Sequence, residues 1–269
     1  MEQKNFSNIL PGQGGMFDRF DSLMASGALI GILGIPYLSA YGFDKDVFLY
    51  LTITILFLGI LLLGEFLHLI FKIRPEYARI TSHILAGLSS LLILNTFSSP
   101  MYVLSLCIQS ALFLIFTAKM GILKSHHDVE RKTYGSSLFF AGVFLTFFTS
   151  VLTLNRSLFI LPVLILTISD PIAALTGQNI KSGYWINIIS GKKSFKTFAG
   201  SFAFFISSFF ILLIGLPFFF NYSLPARLII SLTTGLIVTL IETISSSGFD
   251  NLTIPASVLF LLLISESLF

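Results

Sequence analysis

The stretch Leu158-Phe-Ile-Leu-Pro-Val-Leu-Ile-Leu-Thr-Ile-Ser-Asp170-Pro-Ile-Ala-Ala-Leu-Thr-Gly177 decides the fold. Its twenty residues carry one charge, Asp170, and the rest is almost wholly apolar. Roughly 17–25 such residues cross a bilayer as a helix, so the segment reads as a membrane span. Eight further runs read the same way. With uncertain edges, the nine expected spans are about 22–41, 47–71, 80–97, 101–118, 136–153, 158–177, 198–221, 227–245 and 252–268. Whole-chain composition agrees. Of 269 residues 55% are hydrophobic and only 11% charged, with 30 phenylalanines, and mean hydropathy is +0.91. An ordinary globular protein is roughly 25% charged. A soluble domain, a disordered chain and a nucleic-acid-binding domain are excluded on this ground, so no nucleic-acid partner is expected. Cys107 is the only cysteine, which excludes a secreted disulfide scaffold. The expected fold class is an all-α polytopic bundle of helices.

The loops orient it. Lys4 and Arg19; Lys72, Arg74 and Arg79; Lys119, Lys124, Arg131 and Lys132; and Lys181, Lys192, Lys193 and Lys196 fall on alternating loops. These are thirteen of the 16 basic residues; Lys45, Arg156 and Arg227 fall on the other side. Positive-inside bias places the first set in the cytoplasm, with the N-terminus. The first 20 or so residues are polar and lack an apolar core segment, so no signal peptide is expected. The expected location is the cell's inner, cytoplasmic membrane, with any active site facing the cytoplasm.

Ionisable groups within membrane segments are costly and by default mark function. Here they gather at the cytoplasmic ends of spans, in four clusters. In Glu76-Tyr-Ala-Arg79-Ile-Thr-Ser-His83-Ile-Leu-Ala-Gly87, residues Glu76, Arg79 and His83 share one helix face. Arg131-Lys-Thr133-Tyr-Gly135 opens the fifth span; basic residues there also serve topology. His126 and His127 lack metal-ligand partners at zinc-finger spacing and read as solvated loop residues.

The third cluster is the richest. A carboxylate at membrane depth, Asp170, needs a cation, a metal or a pore. The following loop supplies Gly191-Lys192-Lys193-Ser194-Phe-Lys196-Thr197-Phe-Ala-Gly200-Ser201 at the start of span seven. Backbone N–H groups at a helix start, with lysine point charges, suit a phosphate chain. The carboxylate suits Mg²⁺, which bridges carboxylates and substrate phosphates. A GxxxxGK[ST] P-loop is absent, so this is no Walker ATPase. The fourth cluster is Glu242, inside an apolar run, followed by Asp250 and Asn251 ahead of Pro255. Asp250 and Asn251 also suit a helix cap.

In this order the four clusters resemble the CTP-dependent polyprenol kinase family, which includes dolichol kinase, phytol kinase and a diacylglycerol kinase. Glu76…Arg79…His83 is similar to its E-x-x-R-K-x-x-H motif, with Ile80 at the lysine. Arg131-Lys-Thr-Tyr-Gly135 is similar to R-K-T-x-G, and Asp170 with Ala173 to D-x-x-A. Lys196-Thr-Phe-Ala-Gly200-Ser201 resembles K-S-F-A-G-S; Asp250-Asn-Leu-Thr-Ile-Pro255 resembles D-D-N-L-T-V-P, with Phe249 at the first acidic position. A second resemblance lies upstream. Leu10-Pro-Gly-Gln13-Gly-Gly15-Met-Phe-Asp18-Arg-Phe-Asp21-Ser22 is similar to the closing signature of phosphatidate cytidylyltransferase, L-P-G-H-G-G-x-x-D-R-x-D-S. The expected division is 1–45, carrying this signature and one span, and 46–269, the kinase-like membrane domain.

The resemblances imply a CTP-using enzyme acting on a membrane lipid. The leading expectation is a kinase for a lipid alcohol such as phytol or a polyprenol. The alternative is a cytidylyltransferase acting on phosphatidate. A transporter would carry charges near mid-bilayer and repeat symmetry, neither of which is present; a non-catalytic membrane scaffold is the remaining reading. The implied catalytic residues are Asp170, Glu242, Asp250 and Lys196. Nucleotide contacts fall to Lys192, Lys193, Ser194, Thr197, Gly200, Ser201, Arg131, Arg79 and His83. Mg²⁺ ligands fall to Asp170 and Asp250, with Asp18 and Asp21 in the N-terminal signature.

Overall fold

The computed structural model describes residues 45–97, 99–120, 135–180, 182–186, 193–245 and 248–268. The chain divides into two compact units, residues 1–59 and 60–269. Of the first unit only the opening of helix α1 (Lys45–Phe71) is described. The second unit contains the rest of α1, then α2 (Pro75–Ser90), a single turn α3 (Ile93–Thr96), α4 (Pro100–Met120), α5 (Gly135–Thr153) and α6 (Ser157–Leu164). A π-helical turn (Ile165–Ser169) joins α6 to α7 (Asp170–Asn179). A hairpin, β1 (Tyr184–Ile186) and β2 (Lys193–Thr197), leads into α8 (Phe198–Gly215). Helices α9 (Leu224–Ile244) and α10 (Asp250–Leu268) follow.

Eight helices among the described residues are long and apolar enough to cross a membrane. The architecture is an all-α polytopic bundle. They correspond to the second through ninth expected spans; the first, 22–41, lies outside the described residues. Proline at or near the first turn starts α2 and α9, where its missing N–H would have no intrahelical partner anyway. Ser223 caps α9, its hydroxyl accepting from Ala226 N. Leu152, Phe202, Phe218 and Phe260 lie more than 60% exposed. Such surface is untenable in water and ordinary against lipid, and it identifies the face the bundle turns outward.

Between helices in lipid, packing and hydrogen bonds replace the hydrophobic driving force. Helix α8 packs on α7 and α9, while α5 packs on α4, α6 and α10. The π turn touches α2, α6, α7, α8 and α10. Its neighbours close on it tightly: a Cβ at Gly87 would stand 2.0 Å from Thr167 Oγ1. Only glycine lets α2 lie so near that turn. The hairpin is antiparallel, pairs Tyr184 with Thr197 and Ile186 with Lys193, and is irregular between the two pairs. Sequence periodicity, dominated by the apolar spans, did not predict it.

Candidate functional site

Each connection at one end of the bundle contributes a polar side chain to a single cavity of about 430 Å³. The start of α2 brings Glu76, Arg79 and His83, and the start of α5 brings Gly135 and Ser136. The π turn delivers Asp170. From the hairpin and the head of α8 come Lys196, Thr197, Gly200 and Ser201. Glu242 closes α9, and Asp250 with Asn251 opens α10. All described lining residues belong to the 60–269 unit.

Local structure explains how each group arrives. A π turn admits one extra residue into a helix and commonly marks a functional position. Here it precedes Asp170 directly, with Pro171 as the next residue. His83 Nε2 lies 3.2 Å from Leu166 O inside that turn, an N–H donated to a carbonyl. The Phe139 ring meets the His83 ring edge-on, with centroids 5.2 Å apart. The hydroxyls of Thr167 and Ser169 are buried there without hydrogen-bond partners. At the head of α8, Thr197 Oγ1 accepts from Gly200 N at 3.1 Å. A Cβ on Gly200 would stand 2.8 Å from Ala173 O, so glycine here seats α8 against α7. Asn251 Nδ2 donates to Gly135 O at 2.7 Å and ties α10 to α5.

The electrostatics centre on Lys196. Its ammonium donates to Asp250 Oδ2 at 2.9 Å and also bonds Glu242 Oε1. A carboxylate at span depth costs about 2.5–3.5 kcal/mol on the insertion scale, and Glu242 is only 1% exposed. The lysine supplies the compensation. Burial pulls the Lys196 ammonium toward neutrality, but Asp250, Glu242 and Asp170 outweigh it and hold it above the usual lysine range. Glu242 Oε2 remains buried without a hydrogen-bond partner among the described residues.

Asp170 makes no hydrogen bond or ion pair among the described residues; Asp250, Lys196, His83 and Arg79 lie within electrostatic reach. No trio of His, Cys, Asp or Glu among the described residues is grouped as a metal cage. Mg²⁺ needs none: it binds through one or two carboxylates and completes its shell with water and substrate phosphate. A partnerless carboxylate facing a polar cavity, with Asp250 as a second acid, fits that mode.

The cavity thus unites nine of the residues singled out from sequence: Arg79, His83, Asp170, Lys196, Thr197, Gly200, Ser201, Glu242 and Asp250. Lys193 and Ser194 fall on β2. Arg131, Lys192, Asp18 and Asp21 lie outside the described residues. Sequence reasoning did not find Gln178, Tyr184 or Ser245 in the lining. Gln178, one residue beyond the expected end of the 158–177 span, was a legible signal; Tyr184 depends on the hairpin.

Among known proteins, the sequence model of the Cytidylyltransferase family matches residues 1–37. No curated protein matches the chain, and no solved structure matches it.

Proposed function

We propose that the 60–269 unit is a membrane-embedded phosphotransferase that moves the γ-phosphate of CTP onto the hydroxyl of a lipid alcohol, at the cytoplasmic face of the inner membrane. One observation carries the reading. Asp170, with no hydrogen-bond or ion-pair partner among the described residues, shares a cavity with the Lys196–Glu242–Asp250 ion cluster and the capped head of α8.

Phosphoryl transfer asks the protein mainly for in-line positioning and charge neutralisation. The first three backbone N–H groups of α8 are engaged by Gly183 O, Ser182 Oγ and Thr197 Oγ1, so the helix start favours a phosphate chain through its dipole, beside Thr197, Gly200 and Ser201 in the lining. Lys196 is held charged by its carboxylates and adds a fixed positive end; Arg79 lines the same cavity. Asp170 and Asp250 would hold Mg²⁺, which when bound offsets charge on the β- and γ-phosphates. The hydroxyl oxygen forms its bond to the γ-phosphorus as the bond from that phosphorus to the β–γ bridging oxygen breaks. The hydroxyl proton passes to a carboxylate, for which Glu242 Oε2, buried and without a hydrogen-bond partner among the described residues, is the candidate. The products are a lipid monophosphate and CDP.

Use of CTP in particular is supported by the match over residues 1–37. That match also favours the second reading, a cytidylyltransferase that joins phosphatidate to the α-phosphate of CTP and releases pyrophosphate. Products separate the two. Purified protein in detergent, given labelled CTP with a panel of lipid alcohols and phosphatidate, is expected to yield CDP and a lipid monophosphate. Deleting residues 1–21 should leave that activity in place. Pyrophosphate release dependent on phosphatidate, and lost in Asp21→Asn, would overturn the kinase reading in favour of the transferase.

A further inference from the structure

The cavity is not polar throughout. On α2 its lining runs from Glu76 and Arg79 through His83 to Ala86. At 1.5 Å per residue, Ala86 lies about 15 Å deeper than Glu76. On α5 it runs from Gly135 and Ser136 to Phe139 and Phe140, again polar first and apolar deeper. Leu61 on α1 and Leu114 on α4, both set back from the ends of their helices by more than a turn, complete an apolar lining. Thus two helices independently carry the same gradient, and two more contribute only leucine. The His83–Phe139 ring contact marks the border, and Asp170 lies in the same cavity, held there by the turn that His83 bonds.

We infer that this deep end, formed by Leu61, Ala86, Leu114, Phe139 and Phe140, is the binding site for the hydrocarbon chain of the acceptor lipid. The inference rests on the proposed phosphotransferase reading for the identity of the reacting group, a hydroxyl. A chain seated among these side chains presents its polar end at the border, beside Asp170. The nucleotide occupies the polar mouth. The two substrates therefore approach the carboxylate from opposite ends, as in-line transfer requires. An apolar wall is at home at this depth, whereas a second charged ligand would find no partner there.

The probe is geranylgeraniol carrying a diazirine on its terminal carbon, photolysed with wild-type protein in detergent and mapped by mass spectrometry. Label is expected on the peptides holding Ala86, Leu114 or Phe140, and excess unlabelled geranylgeraniol should displace it. Kinetics supply the second arm. Leu114→Trp and Ala86→Phe fill the deep end and should raise KM for geranylgeraniol by about tenfold or more, in the range that hydrophobic pockets discriminate. KM for CTP should stay unchanged. Displaceable label in the deep end without turnover of any alcohol would keep the chain site and overturn the kinase reading. Turnover with label confined to the outer helix faces, or equal KM changes for alcohol and CTP, would overturn the chain site and keep the kinase.

Discussion

Lys196 and Asp250 lie 54 positions apart in sequence and 2.9 Å apart in space, the ammonium of the hairpin's last strand against the first carboxylate of α10. Glu242 shares the same ammonium. One side chain thus fixes the end of α9 and the start of α10 relative to the hairpin. Lys196→Met should leave Glu242 buried and uncompensated. Removing one partner of a buried pair costs 3–5 kcal/mol; with Lys196 and Asp250 side chains each 16% exposed, about 2–3 kcal/mol is expected. Thermal unfolding in detergent reads the loss. Adding Glu242→Gln should recover much of the stability and none of the turnover.

The same cluster sets a pH dependence. The folded Lys196 titrates above its reference value of 10.5. Its contribution to stability is therefore fully present below that reference and is lost only as pH climbs through the higher folded value. The stability gap between wild type and Lys196→Met should stay constant from about pH 7 to about pH 10. A gap that closes below about pH 9 would show that the folded ammonium titrates below its reference value rather than above it.

Asp170→Asn keeps shape and removes charge. Turnover should fall by at least about 10²–10³, the scale for losing a group that stabilises transition-state charge. Melting temperature should hold or rise. Asp128→Asn, at a position outside the described residues, should retain activity, and equal activity in the two variants would remove Asp170 from the mechanism.

His83 acts through the π turn. His83→Ala should speed hydrogen exchange across residues 165–170 and lower kcat, with KM for CTP little changed. His83→Gln, which keeps an N–H for Leu166 O, should recover both. Slow exchange in the alanine variant would show that the turn holds without the histidine.

Gly87→Ala drives a methyl group into Thr167 and should cost about 1–3 kcal/mol, the usual range for overpacking. Thr167→Ala should relieve it in the double variant. Unfolding midpoints of the four proteins in that cycle provide the test; additive losses would place the strain elsewhere.

The spans were legible because each is a long apolar run, and the run 158–177 keeps its helical course past Asp170-Pro171. The polar clusters were legible because charge near a span is rare. Their meeting in one cavity was not, since nothing in the spacing of Lys196 and Asp250 encodes a 2.9 Å contact. Lys196 read as a phosphate contact; the structure adds two carboxylate partners. The π turn was hidden for a similar reason. Ile165–Ser169 has ordinary helical residues, and its extra residue answers to packing against α2, α8 and α10. The short hairpin strands fell below what alternation can signal.

Asp250 opens α10, the latest-made of the described helices. Lys196 and Glu242 precede Asp250 in the chain, and Asn251 reaches Gly135 only when α10 is in place. The polar cavity is therefore closed from the C-terminal side, when α10 docks on α5 and α9. A chain arrested before residue 250 holds the lysine and the buried glutamate without their third member. Competence at this site thus reports that the nascent bundle has finished threading.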